Sequence, residues 1–405
     1  MSRLKNTVVS ILLLSIFLLS VSSCRKTSSE EIPKRENTIS YYDGGTLENT
    51  STRILYHLDD QLCYYNKITG ETAVFCFDPM CRHGDWRTCI SLRFELNGLI
   101  SLYKIKYNEY DNRFYSIRGD KLCSFSFDGS DLKIVYSFGE KGALDEHSAG
   151  GSVYNLRIAK NRLYVNIVNA EKGGREIVYY DIDTGKLHNL TENLEGQFYD
   201  FWIFEGSLYF EMLHDEEIAL YRSDLDMKNI CKTEIEGVFG DSLFHQDQSY
   251  YVSYREENKQ TFADAIMCYD LESGEINKVC SLENEGESNL QPCILAVSDT
   301  YVYFIKREPI HIGYEVIRGT IEQHMYNDFS KIYRADLQSG EVTVIFDDPS
   351  CEVTEIYFLQ NKKVLIKGWF CKYGEGDAEK TDAIFIAEVD ENGNFVNMEK
   401  LEDPR

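Results

Sequence analysis

Residues 179–187 read YYDIDTGKL, and this short phrase decides the fold because related phrases return along the whole chain. A strand-like aromatic run precedes an Asp-rich turn with a glycine, and a second strand-like run follows it. Alternating runs on both sides of such a turn are typical of a β-hairpin. The related phrases lie at 64–72, 125–133, 221–229, 268–276, 333–342 and 387–395. The sequence therefore predicts one kind of hairpin seven times.

Glycine stands in the turn of six of these phrases, and the phrase at 221–229 carries Asp224 and Asp226 without one. Such turns need positive φ, which glycine adopts at little steric cost and which Asp or Asn tolerates next best. The glycines predicted to take positive φ are Gly70, Gly129, Gly185, Gly274, Gly340 and Gly393.

A second hairpin precedes the phrase in most copies, as in RIAKNRLYVNIV at 157–168 and WIFEGSLYFEML at 202–213. Two hairpins per repeat make a four-stranded meander, and such repeats fit propeller blades. The sequence predicts an all-β protein, a β-propeller of four-stranded antiparallel blades. Seven blades fit best, and six or eight remain alternatives. The blades are predicted at 38–77, 101–138, 153–191, 199–233, 240–281, 293–346 and 353–400, with residues 38–43 alternatively closing the ring against the last blade.

The N-terminus predicts export. Arg3 and Lys5 precede an apolar run that ends at VSSC, residues 21–24, which resembles a bacterial lipobox. We expect a lipoprotein signal peptide at 1–23, a lipidated Cys24 with a polar tether at 24–37, and a single propeller domain at 38–405. The protein would then be extracytoplasmic and anchored to the cell membrane through a lipid.

The net charge of −25 excludes one class of partner. A chain this acidic repels nucleic acid and anionic lipid headgroups, so we expect no nucleic-acid binding. The expected ligand is an extracytoplasmic protein, peptide or glycan.

The loops differ between the two faces that a propeller presents. Turns between first and second strands, and between third and fourth strands, are short, whereas the opposite face gathers variable segments at 169–175, 255–264, 307–330 and 371–382. Variable loops on a rigid scaffold are where binding usually resides. The segment 307–330 is interpreted either as a binding loop or as a long hairpin extension. Its candidate ligand-binding residues are Arg307, Glu308, His311, Glu315, Arg318 and His324.

The same face is predicted to carry VFCFDPMCRHGDWRTCI at 74–90, in which Cys76, Cys81, His83 and Cys89 lie close in sequence. Three thiolates and one imidazole are a known structural zinc set, although the usual paired C-x2-C spacing is absent. A disulfide clasp, structural thiols or redox chemistry remain alternatives, since export favours disulfides. Three other cysteines inside strand runs are interpreted as buried small hydrophobic residues: Cys63, Cys123 and Cys268.

The segment CFDPMCRH at 76–83, together with Cys89, resembles the C-x-x-P-x-C-x-H segment of uncharacterised Gram-positive lipoproteins with propeller-type, TolB-like repeats. The lipobox, the polar tether and the Tyr-rich hairpins are also similar to theirs. The resemblance implies an extracytoplasmic propeller of unassigned activity.

Two hypotheses about function follow. In the first, an anchored propeller acts as a binding or scaffold module for an extracytoplasmic ligand or partner. In the second, it is a hydrolase or lyase that acts on glycans or peptides. Binding is favoured, because the fold alone does not imply activity and the catalytic residues are unknown.

Overall fold

The structure is a computed structural model, and all residues that it describes belong to one compact unit, Ile39–Arg405. The described ranges are 40–41, 48–58, 61–76, 80–83, 89, 105–118, 121–128, 130–138, 153–169, 174–214, 217–236, 242–257, 260–282, 291–317, 320–328, 331–348, 351–359, 362–372 and 379–401. The predicted signal peptide, Cys24 and the tether lie outside these ranges. Across the ranges the regular secondary structure is entirely β, as the sequence predicts.

The first four units follow one another along the chain, each with four strands. Unit 1 contains β2 (Glu48–Asn49), β3 (Arg53–Leu58), β4 (Gln61–Asn66) and β5 (Thr72–Val74). Unit 2 contains β6 (Lys106–Asn108), β7 (Arg113–Arg118), β8 (Lys121–Ser126) and β9 (Lys133–Ser137). Unit 3 contains β10 (Val153–Ala159), β11 (Arg162–Asn169), β12 (Gly174–Asp181) and β13 (Lys186–Asn189). Unit 4 contains β14 (Gln197–Phe204), β15 (Ser207–His214), β16 (Glu217–Asp224) and β17 (Cys231–Glu236).

The last three units have longer strands. Unit 5 contains β18 (Leu243–His245), β19 (Gln248–Glu257), β20 (Gln260–Asp270) and β21 (Ile276–Ser281). Unit 6 contains β22 (Gln291–Val297), β23 (Tyr301–Ile317), β24 (Thr320–Asp328), β25 (Lys331–Asp336) and β26 (Val342–Asp347). Unit 7 contains β27 (Cys351–Leu359), β28 (Lys363–Lys372), β29 (Glu379–Val389) and β30 (Phe395–Lys400).

Each unit is an antiparallel meander in which consecutive strands pair. Burial differs between first and fourth strands, as in β22 of unit 6, which is buried, and β30 of unit 7, which is largely exposed. In unit 6, β23 pairs with β25 up to Ile305 and then continues beyond the sheet, where it pairs with β24. The described residues thus contain seven units with a four-stranded meander each, to which unit 6 adds β24, while a total of seven blades for the whole chain stays a prediction.

Apolar clusters lie between neighbouring units and hold them side by side. Because alternate side chains of a strand face opposite sides of its sheet, each unit can contribute to two clusters. The pairs of units are 1–2, 2–3, 3–4, 4–5, 5–6 and 6–7. A further cluster joins Ile54 and Tyr56 of unit 1 to Tyr357, Leu365 and Ile384 of unit 7. The series therefore closes on itself, which is the arrangement of a β-propeller.

A buried tyrosine is the third residue of the second strand in five units: Tyr115, Tyr164, Tyr209, Tyr250 and Tyr303. Burial is the main cause that raises the pKa of each of these hydroxyls, and the pKa of Tyr209 reaches about 12. Cys63, Cys123 and Cys268 are buried beside such positions, which confirms their interpretation as core residues.

The turn prediction is confirmed wherever the structure describes the glycine. Gly70, Gly185, Gly274, Gly340 and Gly393 have positive φ, and Gly129 lies outside the described residues. In the turn at 221–229, which has no glycine, Met227 and Asn229 take positive φ instead, at 55° and 57°.

The first predicted blade needs a correction. Its sheet begins at Glu48, and the earlier strand β1 (Ser40–Tyr41) pairs with β22 of unit 6. The alternative that residues 38–43 close the ring against the last blade is therefore wrong. The physical reason is backbone pairing: Ser40 lies opposite Val297 and Tyr41 lies opposite Ala296, so this strand extends the sheet of unit 6 beside β22.

Candidate functional site

The Cys3His cluster, defined as Cys76, Cys81, His83 and Cys89, lies where unit 1 ends. The outer strand β5 stops at Val74, but the Phe75 amide still donates to the Leu62 carbonyl at 2.9 Å. Phe75 is buried against Phe114 and Phe125 of unit 2, with ring centroids 5.8 and 6.2 Å away. Cys76 follows directly, so its position is fixed by an anchored backbone and a packed neighbour.

The four side chains converge. Their ligand atoms all lie within 4.8 Å of one another, and His83 Nδ1 is 3.4 Å from Cys89 Sγ. The backbone amide of His83 donates to Cys81 Sγ at 3.4 Å. Cys89 is buried, whereas the other three residues are partly exposed. The residues that the sequence singled out are thus brought together in space.

This geometry suits a metal ion. Thiolate and imidazole ligands 2.0–2.3 Å from a tetrahedral zinc lie about 3.6 Å from each other, which is close to the separation of His83 and Cys89. A disulfide would instead need two sulfurs about 2.05 Å apart, and Cys81 is a free thiol. Four protein ligands leave no open position for substrate, so the donor set is that of a structural centre rather than a catalytic one.

Gln61 is a contributor that the sequence did not reveal. It lies at the turn between β3 and β4, is 5% exposed, and its Nε2 donates to the His83 carbonyl at 2.8 Å. His83 has φ of 55°, a left-handed conformation that costs energy for most residues. The Gln61 bond helps to hold that conformation and shows that the cluster lies on the face of the second-to-third strand turns. A glutamine in a turn carries no sequence signal for such a role.

The described residues of the variable segments on that face lie on strands rather than in loops. Within 255–264 the described residues belong to β19 and β20, and within 371–382 residues 371–372 and 379–382 belong to β28 and β29. Residues 307–317 and 320–328 form the ribbon β23–β24, with Glu308 opposite Asp328 and Glu315 opposite Glu322. The hairpin extension is therefore confirmed for these residues, because ladder hydrogen bonds continue beyond the blade, and ligand binding by the segment stays a prediction.

The candidate ligand-binding residues can be placed only by backbone position. Arg307, Glu308, His311 and Glu315 lie on β23, and His324 lies on β24 opposite Gly313. Their side chains are outside what the structure describes, and Arg318 is outside it altogether. Their role in binding stays a prediction.

A hollow of about 400 Å³ lies elsewhere, beside the turn between β4 and β5. Its wall includes Tyr64, Asn66, Glu71 and Leu401, so it contains none of the predicted site residues. Within the described residues, no helix is long and apolar enough to cross a membrane.

Comparison with known proteins supports the fold. No family model and no curated protein matches the sequence. Among solved structures, an oligogalacturonate lyase from Vibrio parahaemolyticus is similar with a TM-score of 0.52 at 12% identity, over 88% of this chain and 92% of that chain. An oligogalacturonate lyase in complex with manganese gives 0.49 at 12% identity, over 88% and 92% of the two chains. A TolB-type protein from Agrobacterium tumefaciens gives 0.38 at 11% identity, over 61% and 82%.

Strand order, inter-unit packing and the first of these similarities define the class: the chain is an all-β protein with the β-propeller fold. An identity of 12% shows a shared fold and says nothing about activity.

Proposed function

We propose that this protein is an extracytoplasmic, lipid-anchored propeller that binds a ligand or partner through the face carrying its long hairpins. The observation that carries the proposal is the unequal length of the second and third strands. They have six residues each in units 1 and 2, but ten and eleven in units 5 and 7, and β23 has seventeen. A blade core is complete with six residues, so the extra length builds a raised rim over three consecutive units.

The charge of the protein selects among ligands. With a net charge of −25, the protein as a whole repels polyanions and attracts basic groups, and it leaves the binding of neutral groups unaffected. A basic peptide or protein segment, or an uncharged glycan, therefore suits this surface better than an acidic polysaccharide does.

The metal of the Cys3His cluster is proposed to be zinc. Three thiolates and an imidazole are softer donors than magnesium or calcium prefer, and they match the structural zinc sets. Zinc would hold the connector 76–89 as a compact clasp on the binding face and would supply no reaction chemistry there.

Metal analysis of the mature chain, purified without chelator, tests the zinc assignment. We expect about one zinc per chain in the wild type and in Cys231→Ser, because the Cys231 thiol lies far along the chain on β17 and donates to the Arg222 carbonyl instead. Cys81→Ser and His83→Ala should lose zinc. Wild-type protein that carries none, even after incubation with zinc, would rule out the assignment.

Binding is tested with two probes, a lysine-rich peptide of about ten residues and polygalacturonate. The matched variant replaces residues 310–326 with Asn-Gly, a two-residue turn that closes the hairpin between the paired residues Pro309 and Asn327. We expect salt-dependent binding of the peptide that the variant loses, and no binding of polygalacturonate. Equal binding by both proteins would contradict the assignment to this face, and depolymerisation of polygalacturonate would favour the lyase hypothesis.

The anchor is tested by Cys24→Ala in the full chain. We expect the wild type to incorporate labelled palmitate and the variant to incorporate none, since Cys24 is the proposed site of the lipid. A wild type without label, or a variant labelled equally, would refute lipidation at this residue.

A further inference from the structure

The closure of the ring lies beside unit 1. All four strands of unit 1 come from residues 48–74, and all four strands of unit 7 come from 351–400. The two units meet through side chains, with Tyr56 and Cys63 packed against Tyr357 and Leu365. On the side of the third-to-fourth strand turn, the Lys67 ammonium lies 5.6 Å from the Tyr357 ring centroid and donates to the Thr50 carbonyl.

Among the described residues, unit 1 also has the shortest first strand and the shortest fourth strand of the seven units. The first strand β2 has two residues and the fourth strand β5 has three, whereas β27 and β30 of unit 7 have nine and six. Short strands make few ladder hydrogen bonds, so unit 1 depends more than its neighbours on other contacts.

The Cys3His cluster is placed to supply such contacts. Cys76 packs against both apolar clusters that flank unit 1, the one shared with unit 2 and the one shared with unit 7. Cys89 is fully buried, and Gln61 ties the His83 carbonyl to the turn between β3 and β4. A metal at the cluster would therefore connect the end of β5, the connector to unit 2 and the turn between the two central strands of unit 1.

We infer that metal bound at the Cys3His cluster locks unit 1 into the ring and so stabilises the junction of units 7 and 1. The inference rests on the proposed zinc site and adds its consequence for the whole propeller. The physical reason is linkage: the four ligands do not converge when unit 1 opens, so the free energy of metal binding opposes that opening.

Hydrogen exchange with mass spectrometry on the mature chain, with added zinc and after chelation, tests the inference. When free zinc exceeds its dissociation constant about 100-fold, amide exchange through opening of unit 1 should slow about 100-fold. We expect this slowing in residues 53–66 and, across the junction, in 363–386. Exchange in 207–224 of unit 4 should stay within about twofold, since that unit can remain folded when unit 1 opens.

Cys81→Ser should show the chelated pattern with and without zinc, and Cys231→Ser should behave like the wild type. If Cys81→Ser fails to fold, the chelated wild type gives the same comparison. A wild type that takes up no zinc would refute the proposed site itself. Zinc uptake that slows exchange only within 76–89, or equally in all units, would overturn the lock while leaving the site intact.

Discussion

At the scale of single residues, the turns between third and fourth strands explain why one phrase recurs. Asp336 Oδ1 accepts hydrogen bonds from the amides of Gln338 and Ser339 at 2.9 and 2.8 Å. The following glycine, Gly340, has φ of 72° and closes the turn through its amide to the Asp336 carbonyl. Aspartate and glycine are thus selected by local backbone geometry, which is why the pattern is visible in the sequence.

Two glycines with nearly the same φ allow the cost of backbone strain to be distinguished from the cost of steric contact with a neighbouring unit. A Cβ on Gly340 would lie 2.7 Å from the Val279 carbonyl oxygen of the neighbouring unit, whereas a Cβ on Gly206, at φ of 74°, meets no atom within 4 Å. We expect Gly206→Ala to lower the free energy of unfolding by about 1–2 kcal/mol. Gly340→Ala should cost about 1–3 kcal/mol more, because the backbone of unit 5 must move.

Urea titrations of both variants and the wild type check this difference. Equal losses in the two variants would show that crowding between units 5 and 6 contributes nothing at Gly340.

At the scale of elements, the long hairpins show where the sequence interpretation went wrong. Charged and polar residues in 255–264 and 371–382 suggested loops, yet the described residues of both segments lie on strands. A two-stranded ribbon that leaves the blade is not required to alternate apolar and polar residues, because its faces are not both packed in a core. Hydrogen bonds between its strands form regardless of that pattern.

Replacing residues 310–326 with Asn-Gly should leave the blade intact. The pairing of β23 with β25 ends at Ile305, before the replaced residues begin, so the sheet of unit 6 keeps all its ladder bonds. We expect the urea midpoint to change by no more than the equivalent of about 0.5 kcal/mol, the usual range for surface changes. A cooperative loss of stability would show that the ribbon packs on the disc rather than serving as a rim.

At the scale of the whole molecule, the repeated turns add a shared dependence on pH. In Asp181, Asp270, Asp336 and Asp390, the backbone amide three or four residues later donates to the carboxylate at 2.7–2.8 Å. These bonds are the main cause that lowers the pKa of all four groups. The same local bond thus links acid stability to four different units.

Because the folded-state pKa lies below the unfolded value, these groups stabilise the fold above the unfolded pKa of about 4, and the contribution is lost as pH falls through the folded pKa. We expect a steady urea midpoint between about pH 7 and pH 5 and a decline below about pH 4. A variant that combines Asp181→Asn, Asp270→Asn, Asp336→Asn and Asp390→Asn should decline less steeply over the same interval. Parallel curves for both proteins would assign acid sensitivity to other carboxylates.

The sequence by itself determined the turns, the hairpins and the four-stranded units, because turn stereochemistry and strand alternation act between residues close along the chain. It also identified Cys76, Cys81, His83 and Cys89 as a set, because ligands that share one connector are close in sequence. The tertiary structure alone decided that Gln61 supports His83, that β1 joins unit 6 and that units 1 and 7 meet. These contacts join residues that are far apart along the chain, and they depend on side-chain packing between complete units. A local sequence pattern therefore cannot predict them.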